Sequence, residues 1–380
     1  MKLDSLVVKG IDSRENPNHA VVPPIFLATT YVQEDLHGFQ PFAYARGGNP
    51  TRNNLEKLFG KIEQADYSYA FASGMAAISA VFSLFRSGDK ILLNNNVYGG
   101  TYRYASQIFK DRGVSYELVH DFNDLTRETI GEDVAALYLE TPSNPLLRVA
   151  DIRRLAELAH EQGKLLVVDN TFLTAYYQNP LELGADIVVY SATKYLSGHA
   201  DVIAGLVATN RPDLAKKLKF LQNTLGGILN PTDSYSLIRG IKTLSVRLDR
   251  QEDNTNKIIR FFSSHPGIES LYYPGSYSER EKQIQERQAT GHGSVISVRL
   301  APDYDQDTFV ASLSLFDLAV SLGGVESLIC QPATMTHESF DEKLQKKIGI
   351  TKSLLRLAIG IENAEDLLED LSQALEKAKR

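Results

Sequence analysis

From about residue 52 to 230, short apolar runs alternate with stretches of helical period. The runs at 135–139, 165–168, 186–190 and 203–207 have the length of buried strands, and 151–163 between the first two reads as a helix with Gly163 as its C-cap. The run 75–85 is apolar on most faces and predicts a buried helix with Ser73 near its N-cap. This rhythm predicts a mainly parallel sheet covered on both faces. Glycines and a proline at 226–231 mark a boundary. Beyond it, 233–262 predicts one long helix or a broken pair, 294–300 alternates as a half-buried strand, and 366–379 predicts an amphipathic terminal helix with Lys377, Lys379 and Arg380 at its end. Residues 1–50 are rich in Pro, Gly and Asn with weak periodicity, which predicts an extended arm that packs on a partner subunit. The expected organisation is therefore an arm at 1–50, a large α/β domain at 51–231 and a smaller α+β domain at 232–380.

Composition narrows the function. The chain has 380 residues, 43% hydrophobic and 23% charged, with a net charge of -7. That balance argues for a soluble protein and against a nucleic-acid partner. No apolar run approaches the ~20 residues of a membrane span, and Met1-Lys2-Leu3-Asp4-Ser5 lacks a signal-peptide core. The expectation is a cytoplasmic protein with no membrane partner. Cys330 is the only cysteine, so no internal disulfide forms and a reducing compartment fits. The histidines are scattered, and no metal-site spacing is present. His199, in Ser197-Gly198-His199, reads as a hydrogen-bonded loop residue.

The informative chemistry lies where two apolar runs end. One delivers Asp169-Asn170-Thr171, and the other delivers Ser191-Ala192-Thr193-Lys194. An acid and a lysine at neighbouring strand ends suit pyridoxal 5′-phosphate (PLP). The lysine forms the Schiff base, and the carboxylate keeps the pyridine nitrogen protonated. The plainer alternative is that both residues only terminate buried strands, since any α/β sheet collects polar groups at its carboxyl edge. Ser73-Gly74 before a buried helix offers an N-terminus to a phosphate, or a structural cap alone. Ser191 and Thr193 add hydroxyl donors, and Tyr98 in a glycine-flanked loop either stacks on a ring or simply packs.

Further pieces, in order, extend the pattern over nearly the whole chain. They are Tyr44-Ala45-Arg46-Gly47-Gly48-Asn49-Pro50-Thr51-Arg52, Ala72-Ser73-Gly74-Met75-Ala76, Val97-Tyr98-Gly99-Gly100-Thr101, Glu140-Thr141-Pro142-Ser143-Asn144-Pro145, Asp169-Asn170-Thr171-Phe172, Ser191-Ala192-Thr193-Lys194-Tyr195, Ser321-Leu322-Gly323-Gly324 and Leu355-Arg356-Leu357. Together they resemble the PLP-using enzymes of Cys/Met metabolism, the group of cystathionine lyases and synthases and methionine γ-lyase. The resemblance implies an α/β, aspartate aminotransferase-like fold type I, with a mainly parallel sheet in the large domain and a smaller α+β C-terminal domain. It implies a homotetramer of two active dimers.

The same resemblance implies roles. Lys194 is the Schiff-base lysine and proton carrier, and Asp169 meets the pyridine nitrogen. Gly74, Met75, Ser191 and Thr193 hold the phosphate, and Tyr44 and Arg46 reach it from the neighbouring subunit. Thr171 and Asn144 frame the ring, and Tyr98 stacks and donates a proton. Arg356 clamps the substrate carboxylate, while Asn144, Tyr44, Arg103, Glu326 and Ser327 complete the substrate contacts. Glu326 goes with γ-lyases and γ-synthases in that family, whereas β-lyases often carry an aromatic there. Gly100 stands where methionine γ-lyases usually carry a cysteine, and Ala43 where an acid is usual, which relaxes recognition of a distal ammonium. The expected reaction is γ-cleavage of cystathionine to cysteine, 2-oxobutanoate and ammonia, with side β-lyase and cysteine or homocysteine desulfhydrase activity. A γ-synthase, a β-lyase and, in another class, a non-catalytic PLP-binding protein stay as alternatives.

Overall fold

A computed structural model describes residues 1–37, 40–338 and 340–380. Its first sheet uses seven strands: β1 Tyr67–Phe71, β2 Lys90–Asn94, β3 Ser115–Val119, β4 Val134–Glu140, β5 Leu165–Asp169, β6 Ile187–Ser191 and β7 Gly205–Thr209. Their order is β1-β7-β6-β5-β4-β2-β3. The sheet is parallel from β3 to β6, and β7 runs antiparallel to both β6 and β1. Strand residues alternate between faces, so Val188 and Tyr190 of β6 enter one core with Phe59 and Leu206, while Ile187 and Val189 enter another with Val81 and Phe82. Burial on both faces explains why these strands read as unbroken apolar runs.

Five more strands make a second sheet: β8 Ile268–Tyr272, β9 Val295–Leu300, β10 Asp317–Leu318, β11 Leu328–Cys330 and β12 Leu354–Ala358, ordered β10-β11-β12-β9-β8. It is antiparallel except for the β10–β11 pair. The terminal helix Ala364–Ala378 packs on it through Leu367, Leu371 and Leu375.

Several elements differ from the sequence reading for identifiable reasons. The arm is not wholly extended, because helix Leu3–Lys9 buries Val7 in the core shared with Leu58 and Leu244. The long segment after 231 takes the second of its two expected forms, a broken pair, Pro231–Ile241 and Leu244–Ser264, joined at Lys242-Thr243. The helix after Asp151 closes at His160, and its last turn tightens onto Gly163, which takes a left-handed φ of 66°. Among the described residues no helix is long and apolar enough to cross a membrane, and no group of three His, Cys, Asp or Glu could hold a metal.

Candidate active site

The carboxyl ends of β4, β5 and β6 bring Glu140, Asp169 and Ser191 to one edge of the first sheet, where open α/β sheets place ligands. Asp169 is held from three sides. Its Oδ1 accepts from the Thr171 amide at 3.1 Å and hydroxyl at 2.6 Å, and its Oδ2 accepts from the Tyr138 hydroxyl at 3.2 Å. Thr171 Oγ1 in turn accepts from the Ser191 amide at 2.8 Å, which locks the ends of β5 and β6 together.

Glu140 lies opposite Asp169 in the β4–β5 register, so two buried carboxyls sit side by side. Burial pushes both upward, and the Asp169 charge pushes Glu140 further. The three donors on Asp169 favour its charged form and oppose that push. Glu140 Oε2 accepts from the Tyr98 amide at 2.9 Å, which fixes the start of helix Gly99–Gln107 and hence the half-exposed Tyr98 ring. Within a quoted motif, Glu140 had no assigned role in sequence, because its partners are non-local.

Lys194 follows β6 in a turn. Its ammonium donates to Ser321 Oγ at 2.7 Å. Burial first, then the Arg356 charge, lowers it from 10.5 to about 8. Arg356, from the middle of β12, is buried; it donates to Asn144 Oδ1 at 2.9 Å and to the Ser321 carbonyl at 2.8 Å. Its Nε is buried without a partner among the described residues, which leaves one donor available to a ligand. Ser321 therefore bridges both cations, from a backbone with φ 105° that a non-glycine residue rarely adopts. A Cβ at Gly323, φ 77°, would lie 2.7 Å from the Tyr195 amide nitrogen, so only glycine lets this loop rest on the Lys194 turn. Ser321 was quoted for its motif alone; no local pattern links it to the lysine.

The phosphate candidates gather at helix Gly74–Phe82. Ser73 Oγ caps it by accepting from the Ala76 amide at 3.0 Å. A Cβ on Gly74 would press to 3.0 Å of Ser191, so the glycine leaves the helix start open beside a serine whose hydroxyl has no partner among the described residues. Met75 borders Gly100 at the same place. Thr193 spends its hydroxyl on Ala204, donating to the carbonyl at 3.2 Å and accepting from the amide at 3.0 Å. An open helix N-terminus, a serine hydroxyl without a partner among the described residues, a lysine lowered to about 8, a braced carboxylate and a buried guanidinium with one spare donor fit PLP and a carboxylate substrate.

Other residues stand apart. Tyr44 and Arg46 are exposed; the guanidinium lies 5.4 Å from the Tyr44 ring centre and donates to Asn223 at 3.3 Å. Arg103 points from helix Gly99–Gln107 into solvent with no side-chain bond among the described residues. Glu326 is exposed, with its carboxylate beside Gly324. Ser327 is withdrawn from any ligand: its amide and hydroxyl both donate to Glu362, at 2.6 and 2.9 Å. His199 accepts or donates at the Ser197 carbonyl, 2.8 Å away, as a loop residue.

Residues 4–376 match the profile of the Cys/Met metabolism PLP-dependent enzymes. The chain is 45% identical over 377 residues to a cystathionine gamma-lyase of Bacillus subtilis, covering 99% of this chain and all of that one. It is equally 45% identical over 372 residues to a cystathionine beta-lyase of Lactococcus lactis, covering 98% of each. The crystal structure of a cystathionine gamma-lyase from Lactobacillus plantarum complexed with L-serine superposes with a TM-score of 0.95 at 42% identity, covering 100% of this chain and 99% of that one. A cystathionine gamma synthase from Xanthomonas oryzae gives 0.95 at 34% identity, with 100% and 98% covered.

Proposed function

The chain belongs to the Cys/Met metabolism family of PLP-dependent enzymes, and from that premise we propose that it is a cystathionine γ-lyase. The observation that carries the choice is Glu326, a carboxylate with no partner among the described residues, on the loop whose Gly323 rests against Lys194-Tyr195. An acid there suits a substrate with a distal ammonium, and the sequence pattern associates it with γ-chemistry. Ala43 leaves the opposite position uncharged, so shorter thioether or thiol substrates also enter, and β-elimination and hydrogen sulfide release from cysteine or homocysteine accompany the main reaction.

Bound PLP supplies the electron sink that makes protons near the substrate α-carbon acidic. Asp169 presents its charge to the pyridine nitrogen. The start of helix Gly74–Phe82, with Met75 and Ser191, receives the phosphate, and Thr193 joins them when its hydroxyl turns from the Ala204 carbonyl. Thr171 and Asn144 frame the ring, and Tyr98 covers it. Arg356 forks onto the substrate α-carboxylate, with its free Nε as one donor. Lys194, lowered to about 8, would accept the α-proton, hand it on and, neutral again, accept a β-proton. The γ-carbon–sulfur bond then breaks, and Tyr98 protonates the departing cysteine thiolate. Water releases 2-oxobutanoate and ammonia. Arg103 and Glu326 address the far end of cystathionine.

Assembly completes the site in this proposal. Val32 and Leu36 of the arm are 93% and 99% exposed, apolar surface that calls for a partner. Packed on a second copy, the arm carries Tyr44 and Arg46 to that copy's phosphate, in a cytoplasmic homotetramer of two active dimers. The deciding experiment is a product assay on cystathionine. Mainly 2-oxobutanoate supports γ-cleavage; mainly pyruvate assigns a β-lyase, and no keto acid with a PLP-loaded protein assigns a carrier.

A further inference from the structure

Beyond the carboxyl ends of β2 and β3, a cleft of about 280 Å³ opens between the two sheets. Its walls come from Arg148 and His120 on one side and from Tyr272, Tyr277, Arg299 and Lys347 on the other. No carboxylate lines it among the described residues. Arg148 is already matched, by Glu281 at 2.6 Å and Asp121 at 2.9 Å. The uncompensated charge comes from the other side. Arg299 is half-buried, bonds only the Tyr272 hydroxyl and the Gly349 carbonyl, and has no ion pair among the described residues. Lys347, also without an ion pair there, adds a second cation. Asn95 donates to His120 Nδ1 at 3.0 Å, which assigns the ring proton to Nε2 as a further donor. Tyr272 and Tyr277 stack at 5.2 Å and 24°, and each ring also faces a guanidinium, which holds the cationic walls rigid.

We propose that this cleft is a second binding site, for a compact dianion, and that its occupancy is linked to the substrate site through Ser143. The dianion is an oxyanion such as phosphate or a short dicarboxylate, sized to touch Arg299 and Lys347 together. The link is built from hydrogen bonds. Asn96 of the cleft wall donates to Ser143 Oγ at 2.7 Å, and the Arg148 amide donates to the same oxygen at 3.1 Å. Ser143 precedes Asn144, whose side chain takes Arg356. An anion that draws Arg299 toward Arg148 therefore acts on the backbone that sets the carboxylate clamp, and the effect is reciprocal in binding.

The proposal stands independently of which thioether the enzyme cleaves. Calorimetry on the PLP-loaded enzyme in chloride buffer, titrated with inorganic phosphate and separately with succinate, reads it directly. Saturable binding of one anion per chain is expected, with the better of the two probes identifying the oxyanion or the dicarboxylate. Arg299→Gln and Lys347→Gln should each weaken it about tenfold or more. Lys347 is exposed, so its variant keeps the fold if the other does not. Absence of saturable binding with both probes, or unchanged affinity in the Lys347 variant, overturns the site. Kinetic constants for cystathionine that do not move at saturating anion overturn the link.

Discussion

Lys194 and Ser321 are 127 residues apart in the chain, yet the lysine ammonium donates a 2.7 Å hydrogen bond to the serine hydroxyl. The same serine offers its carbonyl to Arg356 at 2.8 Å. Side chain and main chain of one strained residue thus serve the proton carrier and the carboxylate clamp separately, and the two roles can be dissected. Ser321→Ala removes only the hydroxyl. A hydrogen bond to a charged group is worth about 1.5–3 kcal/mol, so kcat should fall roughly 10- to 150-fold if the transition state feels all of it. KM should change far less, because the carbonyl still holds Arg356. Steady-state kinetics on cystathionine check this, and an effect confined to KM would contradict it.

The lowered Lys194 ammonium has a kinetic consequence. Only the neutral amine attacks an aldehyde. At pH 7 a group at about 8 is ~10% neutral, roughly 300-fold more than one at 10.5. Reconstitution of the apoenzyme with PLP, followed by absorbance, should accelerate about tenfold per pH unit up to about pH 8 and then level. Arg356→Gln removes one cause of the shift, so the plateau should move to higher pH. A wild-type rate that still climbs steeply past pH 10 would falsify the assignment of a near-neutral lysine.

Glu63 is a fully buried carboxyl that the chemistry does not use. It ends helix Pro50–Glu63, and Tyr190 donates to its Oε1 at 2.5 Å while accepting from Asn170 at 2.6 Å. Its other oxygen is buried without a partner among the described residues, and burial raises the group from 4.5 to about 8. The folded value lies above the unfolded one. Its stabilising contribution is therefore complete below pH 4.5 and is lost as pH rises toward about 8, by up to about 1.4 kcal/mol per pH unit. Glu63→Gln mimics the protonated acid and should flatten the melting temperature between pH 5 and 8. Parallel pH curves for the two proteins would show that Glu63 is ionised in the fold.

How far the chain announced this site depends on the range of each contact. Asp169 and Lys194 are legible because each follows an apolar strand, and strand ends collect ligands. The parallel sheet was legible for the same reason: β4 to β6 are buried on both faces and read as continuous apolar runs. Helix Leu3–Lys9 escaped because seven residues carry too little period to outweigh a Pro- and Gly-rich neighbourhood. Glu140 and Ser321 act through partners dozens of residues away, and Ser327 donates its hydroxyl to Glu362, 35 residues on. No local pattern encodes such meetings; only the closed fold creates them.

The arm gives the next test. Among the described residues the Arg46 guanidinium meets only the Tyr44 ring and, through Nε, Asn223, which leaves its terminal nitrogens for a neighbouring copy. Arg46→Ala and Lys194→Ala should each be inactive alone. Mixed under conditions that exchange subunits, they should regain part of the activity, because some hybrid sites contain neither lesion. Exchange demonstrated by differently tagged chains, without any recovery, would place Arg46 in its own subunit's site.

Bond choice is the most exposed expectation. Glu326 sits three residues beyond Gly323, which rests on the Lys194 turn, and its carboxylate has no partner among the described residues and can meet a distal ammonium. An ammonium held there keeps the γ-carbon of cystathionine in line for cleavage, whereas β-elimination from cysteine has no distal group to hold. Glu326→Ala should therefore cut 2-oxobutanoate formation from cystathionine by roughly tenfold or more, the worth of one charge-assisted contact, and spare pyruvate formation from cysteine. Ala43→Asp should act in the opposite sense, raising kcat/KM for cystathionine relative to homocysteine by restoring an acid at a position now uncharged. Product ratios on the two substrates decide the matter. If Glu326→Ala lowers both keto acids alike, the residue braces the loop rather than reading the substrate, and specificity must be sought on the Arg103 side of the cleft.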